Sequence, residues 1–167
     1  MPTTEQPVAE GDPDRNETPK ERLDRNMNEL VGELRVALPG VQVLFAFLLT
    51  VPFNQRFGQV TSFEQTVYLI TLLSTAVATA LLLAPSALHR IEFRLDDKEH
   101  IVTIANRYAI AGFAALMVSV TGAVLLVTHF VYSDTTSYIA TAAVAVLLAL
   151  CWYVMPLMRR AHLRAGD

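Results

Sequence analysis

Apolar residues gather into four long runs, at 36–53, 67–88, 108–131 and 138–158, and the charged residues crowd between them. Runs of this length and character predict helices that cross a bilayer, because a helix satisfies its own backbone hydrogen bonds where lipid cannot. The first run is the shortest. At 1.5 Å per residue it reaches about 27 Å, just under the roughly 30 Å hydrocarbon core. Pro39, Gly40, Gln42 and Thr50 interrupt it, and Pro39-Gly40 predicts a kink near one membrane surface. Pro85 and Pro156 fall only near the ends of the second and fourth runs. The intervening connections are 54–66, 89–107 and 132–137.

Helical patterning also extends beyond the first run. Thr18-Pro19-Lys20-Glu21 combines a capping threonine, a proline at the first helical position and a glutamate two positions further on. Leu23, Met27, Leu30, Leu34 and Leu38 then form one apolar stripe, and Arg22, Asn26, Glu29 and Glu33 occupy the other face. The pattern predicts an amphipathic helix over 18–35 that leads into the first span. Before the third run, Asp96 and Glu99 supply a second start signal, and Ile101, Ile104 and Tyr108 continue a stripe. The third helix is therefore expected to begin about two turns outside the membrane. Residues 1–17 hold Glu5, Glu10, Asp12, Asp14 and Glu17 against Arg15 and read as a disordered acidic tail. They have neither the basic start nor the apolar run of a signal peptide. Residues 159–167 form a short basic tail. The expected fold is an all-α membrane protein: an up-down-up-down bundle of four transmembrane helices with amphipathic cytoplasmic helical extensions.

Charge sets the expected orientation. Lys20, Arg22, Arg25 and Arg35 precede the first span; Arg90, Arg94, Lys98 and Arg107 lie between the second and third; Arg159, Arg160 and Arg164 follow the fourth. The first connection carries only Arg56, and the third carries no Lys or Arg. Basic clusters on alternate connections predict both termini in the cytoplasm of a multi-pass protein in the cytoplasmic membrane. Phe53, Phe57, Tyr68, Tyr132, Tyr138, Trp152 and Tyr153 suit the membrane–water interfaces. A shift of 70 residues superposes Tyr68 on Tyr138, Thr71 on Thr141, Arg90 on Arg160 and Arg94 on Arg164, a pattern that either a duplication or biased composition produces.

Composition agrees with this arrangement: the 167 residues are 53% apolar and 17% charged, against about 45–50% and about 25% in soluble domains. The net charge of −3 argues against nucleic acid as a partner. Cys151 is the single cysteine, so no internal disulfide forms, and its apolar run predicts a small buried hydrophobe. His89, His100, His129 and His162 are scattered, and no cluster has metal-ligand spacing. Nucleotide-binding glycine loops and nucleophile elbows are absent too. These features predict a non-enzymatic protein without a cofactor.

Two polar groups remain as candidate sites. Gln42, Thr71, Ser74, Thr75 and Thr79, together with Thr50, Ser119, Thr121 and Thr141, lie within the spans. Thr71, Ser74, Thr75 and Thr79 share roughly one helix face, which suits close helix packing with hydrogen bonds across it. Glu29, Glu33, Arg35, His89, Arg90, Arg94, Asn106 and Arg107 straddle the basic side of the membrane as a polar collar. At least one of Glu29 and Glu33 is expected to pair with an arginine of the middle connection. Expected partners are the lipid bilayer and either a homo-oligomer or another membrane protein.

The stretch from Arg22 to Phe57, together with Leu83-Ala-Pro-Ser-Ala-Leu-His-Arg90 and Phe93-Arg94, resembles a family of uncharacterised small four-helix bacterial membrane proteins. The resemblance covers most of residues 18–158. Some relatives are automatically labelled sodium:proton antiporter, which implies a small cation/proton transporter as the alternative function. Antiporters work through intramembrane carboxylates, and the central parts of these four spans have none. The family supplies no established catalytic residues.

Overall fold

The computed structural model describes residues 18–92 and 98–165, and among these every long element is a helix. Helix α1 is Pro19–Thr50, followed by two short 3₁₀ turns at Val51–Phe53 and Gln55–Gln59. Helices α2 (Ser62–Glu92) and α3 (Lys98–Val131) come next. Helix α4 (Asp134–Ala149) continues through a π-helical stretch, Leu150–Val154, into α5 (Met155–Ala165). Among the described residues, four helical rods are long and apolar enough to cross a membrane. The protein is an all-α, four-helix, multi-pass membrane protein.

The helix boundaries follow from local chemistry. Thr18 caps α1 as expected: its N–H donates to Glu21 Oε2 at 2.8 Å, and the Glu21 N–H donates back to Thr18 Oγ1 at 3.3 Å. Thr61 and Glu64 form a second box of the same kind, with distances of 2.6 and 3.3 Å. It starts α2 at Ser62, several residues ahead of the apolar run. Ser133 adopts an extended conformation and α4 starts at Asp134, so the link from α3 shrinks to Tyr132 and Ser133. Helix α1 runs unbroken through Pro39. At Pro156 the missing N–H deprives Trp152 of its usual partner. Just before it the helix widens, and the Met155 N–H bonds the Leu150 carbonyl, five residues back. The start signal at Asp96 and the tail over 1–17 lie outside the described residues.

Packing centres on α2 and α3, which share the most extensive contact; α1 lies against both, and α4 packs chiefly on α3. Helix α1 contributes Met27, Leu34, Val41 and Leu48, all buried and seven residues apart. That spacing keeps one seam turned inward along the whole rod. Leu30 and Leu38, from the expected stripe, pack at its margin, while Leu23 is only half-buried. Beyond the membrane run, Met27 packs with Ile101 and Ala105 of α3. The extensions of α1 and α3 therefore prolong the bundle past the apolar spans.

Within the spans, small residues line the interior. Ala78, Ala109 and Ser119 are buried, whereas Val36, Phe47, Leu73, Ile139 and Leu147 face outward. Lipid supplies no hydrophobic drive between helices, so close approach of small side chains holds them together. Cys151 corrects the expectation of burial: it is exposed, because α4 packs chiefly on α3 and turns much of its surface outward. The repeat positions also differ in setting. Thr71 is buried with its hydroxyl bonded to the Val67 carbonyl, whereas the Thr141 hydroxyl has no hydrogen-bond partner among the described residues.

Candidate functional site

The intramembrane hydroxyls sit where α2 meets α3. Thr71, Thr75 and Thr79 each donate to the carbonyl four residues back, at 2.7, 2.8 and 2.8 Å. With the Thr75 proton so placed, Ser119 of α3 donates across to Thr75 Oγ1, and it also lies 3.4 Å from the Thr71 carbonyl. Thr71, Thr75 and Ser119 are buried, and Ser74 is partly buried. Two glycines of α3 complete the seam. A Cβ on Gly122 would overlap the Thr71 hydroxyl, and one on Gly112 would come within 2.7 Å of Leu82 Cδ2. This cluster holds no ionisable group. The hydroxyl protons of Thr71, Thr75, Thr79 and Ser119 are committed to carbonyls or to one another, which suits helix packing.

Gln42 does not join that seam. It is exposed on α1 beside the inward Val41. Helical phase explains its position: the seam of Met27, Leu34, Val41 and Leu48 leaves residue 42 on the flank of the outer face. Pro39, Gln42, Ala46, Leu49 and Phe53 form an exposed row at steps of three and four.

The collar residues at the basic end are spread out. Glu29, Glu33, Arg35, Arg90, Asn106 and Arg107 are all exposed. Among the described residues no ion pair joins Glu29 or Glu33 to Arg90 or Arg107. Both glutamates face away from α2 and α3 because Met27 and Leu34 occupy the inward side. His89 lies in α2, and Arg94 falls outside the described residues. His100 and His162 are exposed. Among the described residues no group of three His, Cys, Asp or Glu side chains lies close enough to hold a metal ion.

The opposite end of the bundle gathers chemistry that the sequence pattern did not single out. The end of α1, the 3₁₀ turns, the start of α2 and the end of α3 enclose an apolar cleft of about 280 Å³. Phe47, Phe57, Tyr68 and Phe130 contribute rings to it, and Asn54 and Glu64 contribute polar groups. Phe57 packs edge-on against Tyr68 at 5.4 Å, and the Tyr68 hydroxyl donates to the Leu48 carbonyl at 3.0 Å. Glu64 receives both the Thr61 N–H and the Thr61 hydroxyl on Oε2. Nearby, His129 in the last turn of α3 packs against Phe63 at 5.9 Å and Tyr138 at 6.5 Å. Its Nδ1 is buried, 3.5 Å from Asp134 Oδ1 but outside hydrogen-bond geometry. The available signal was Thr61-Ser62-Phe63-Glu64, which repeats the threonine–glutamate spacing of Thr18 and Glu21.

Comparison with known proteins places this arrangement in a family. Residues 16–156 match DUF6328, a family of unknown function. No curated protein and no solved structure matches the chain. The matched region takes in α1, α2, α3, α4 and the π-helical stretch, so the protein belongs to the DUF6328 family of unknown function.

Proposed function

We propose that the protein is a non-catalytic, oligomerising component of the cytoplasmic membrane, with both termini in the cytoplasm, and that α1 carries the contact between copies. The observation behind this reading is Gln42. It stands about 10 Å along the helix from Arg35, on the exposed apolar row Pro39, Gln42, Ala46, Leu49 and Phe53, with no hydrogen-bond partner among the described residues. A carboxamide facing hydrocarbon gains by pairing across a helix interface. Its amide both donates and accepts, so two copies related by a two-fold axis satisfy each other at this position. Ala46, next along the row, lets the helices approach closely. Basic clusters on alternate connections support the orientation.

Ala46→Cys in a Cys151→Ala background tests the reading. Oxidation of the membrane-embedded protein should yield a cross-linked dimer at Ala46→Cys and not at Ile139→Cys on the outer face of α4. Cross-linking at Ile139→Cys alone would assign the contact to α4. The alternative, a small cation/proton exchanger of the kind the label on some relatives implies, is tested in liposomes with a pH-sensitive dye under a sodium gradient. Robust protein-dependent exchange there would replace the present reading.

A further inference from the structure

The cleft at the end of the bundle opposite the basic clusters combines two features. Its wall is apolar and aromatic, and Glu64 is the charged side chain among the described residues that line it. Pockets that bind small molecules have this composition, apolar surface with a few placed polar groups. The carboxylate is fixed rather than free to swing away, since Thr61 holds Oε2 through its N–H at 2.6 Å and its hydroxyl at 2.8 Å. Oε1 has no hydrogen-bond partner among the described residues, and Glu64 lines the cleft. Phe57 is braced by Tyr68, and Tyr68 is anchored to the Leu48 carbonyl, so the ring wall is held in place as well. A neutral acyl chain would fill the apolar volume and leave the carboxylate without a partner. An anion would be repelled. A cation with an apolar body satisfies both parts, through the carboxylate and through the ring faces that attract ammonium groups.

We propose that this cleft binds a small amphiphilic organic cation, its apolar body between Phe47, Phe57 and Tyr68 and its ammonium group on the Glu64 carboxylate. The site is independent of the exposed row on α1 that includes Gln42. The ammonium has two available sources, the headgroup of a membrane lipid or a free amine. Both present the same chemistry to Glu64.

The test uses the full chain in lipid nanodiscs, with benzyltrimethylammonium as probe and neopentylbenzene as its neutral isostere, read by titration calorimetry against empty discs. Saturable binding of the cation is expected to weaken about tenfold or more in Glu64→Gln, and to persist in Glu29→Gln and Gln42→Leu. Glutamine preserves the capping pattern at the start of α2, and unchanged helicity confirms that the variant folds. Phe57→Leu, which keeps Glu64, should weaken the cation as well. In discs of phosphatidylglycerol alone against discs containing phosphatidylethanolamine, weaker probe binding in the second identifies a lipid headgroup as the natural occupant, and equal binding identifies a free amine. No saturable binding beyond that of empty discs, equal binding of the neutral isostere, or full retention in Glu64→Gln would each overturn the proposal.

Discussion

At Gly122 the approach of α3 to α2 leaves no room for a methyl group, because the Thr71 hydroxyl occupies that space. Gly122→Ala should therefore lower thermal stability in detergent by about 1–3 kcal/mol, the usual cost of overpacking. Adding Thr71→Ala to that variant should recover much of the loss by vacating the contested volume. Ser119→Ala is expected to be milder, about 0.6 kcal/mol and at most about 1.7 kcal/mol, the range for hydrogen bonds between membrane helices. Its mildness follows from Thr75, which keeps its bond to the Thr71 carbonyl when Ser119 is gone. A loss from Ser119→Ala as large as that from Gly122→Ala would mean that hydrogen bonding, rather than fit, holds the seam. Thr71, Ser74, Thr75 and Thr79 were legible as one face because helical spacing fixes which residues share a side. The inward or outward phase of Gln42 was not legible. In a membrane the core and the solvent are equally apolar, so hydrophobicity no longer marks the inside.

Helix starts were the most readable elements. Thr18 and Glu21 stand out because a capping box needs two residue types at fixed spacing, and the structure forms both of its bonds. Thr61 and Glu64 obey the same rule, and the polar connection around them masks the signal. Donation from the Thr18 backbone and then from its side chain holds the Glu21 carboxyl below its ordinary value of 4.5. A carboxyl depressed on folding stabilises the helix above the unfolded value and loses that contribution as pH falls through the folded one. The first turn of α1 should accordingly fray below about pH 4.5, seen as faster amide exchange at the start of α1 while Leu34 and Val41 stay protected. Thr18→Ala should produce the same fraying at neutral pH, and a first turn insensitive to both changes would contradict the cap. Farther along, Met27 packs on Ile101 and Ala105, so Met27→Ala should cost about 2–5 kcal/mol and loosen the extensions without disturbing the spans. The contact itself could not be read from sequence, since each stripe declares an apolar face and not the helix it meets. Glu29 and Glu33 form no pair with Arg90 or Arg107 for the same reason: charge complementarity names partners, and the phase of α1 turns both glutamates outward, while Arg94 lies outside the described residues.

The whole molecule is a trio, α1, α2 and α3, with α4 leaning on α3 and much apolar surface turned outward. Four spans were legible from run length alone, because the bilayer sets a fixed length that few other structures share. The orientation we propose predicts that, in a Cys151→Ala background, an impermeant thiol reagent applied to intact cells labels Ser133→Cys and spares His162→Cys. The reverse pattern would invert the assignment of cytoplasmic and outer faces. Self-association through the outer row of α1 is read out by subunit exchange, measured as energy transfer between donor- and acceptor-labelled protein and titrated by dilution with lipid. The wild-type chain should show transfer that falls with dilution along a dimer isotherm. Gln42→Leu, which removes both bonds of the two-fold pair, should shift that isotherm about eightfold or more toward monomer, the equivalent of two interhelical hydrogen bonds. An isotherm unchanged by Gln42→Leu, or a wild-type chain that is monomeric at every dilution, would contradict the account.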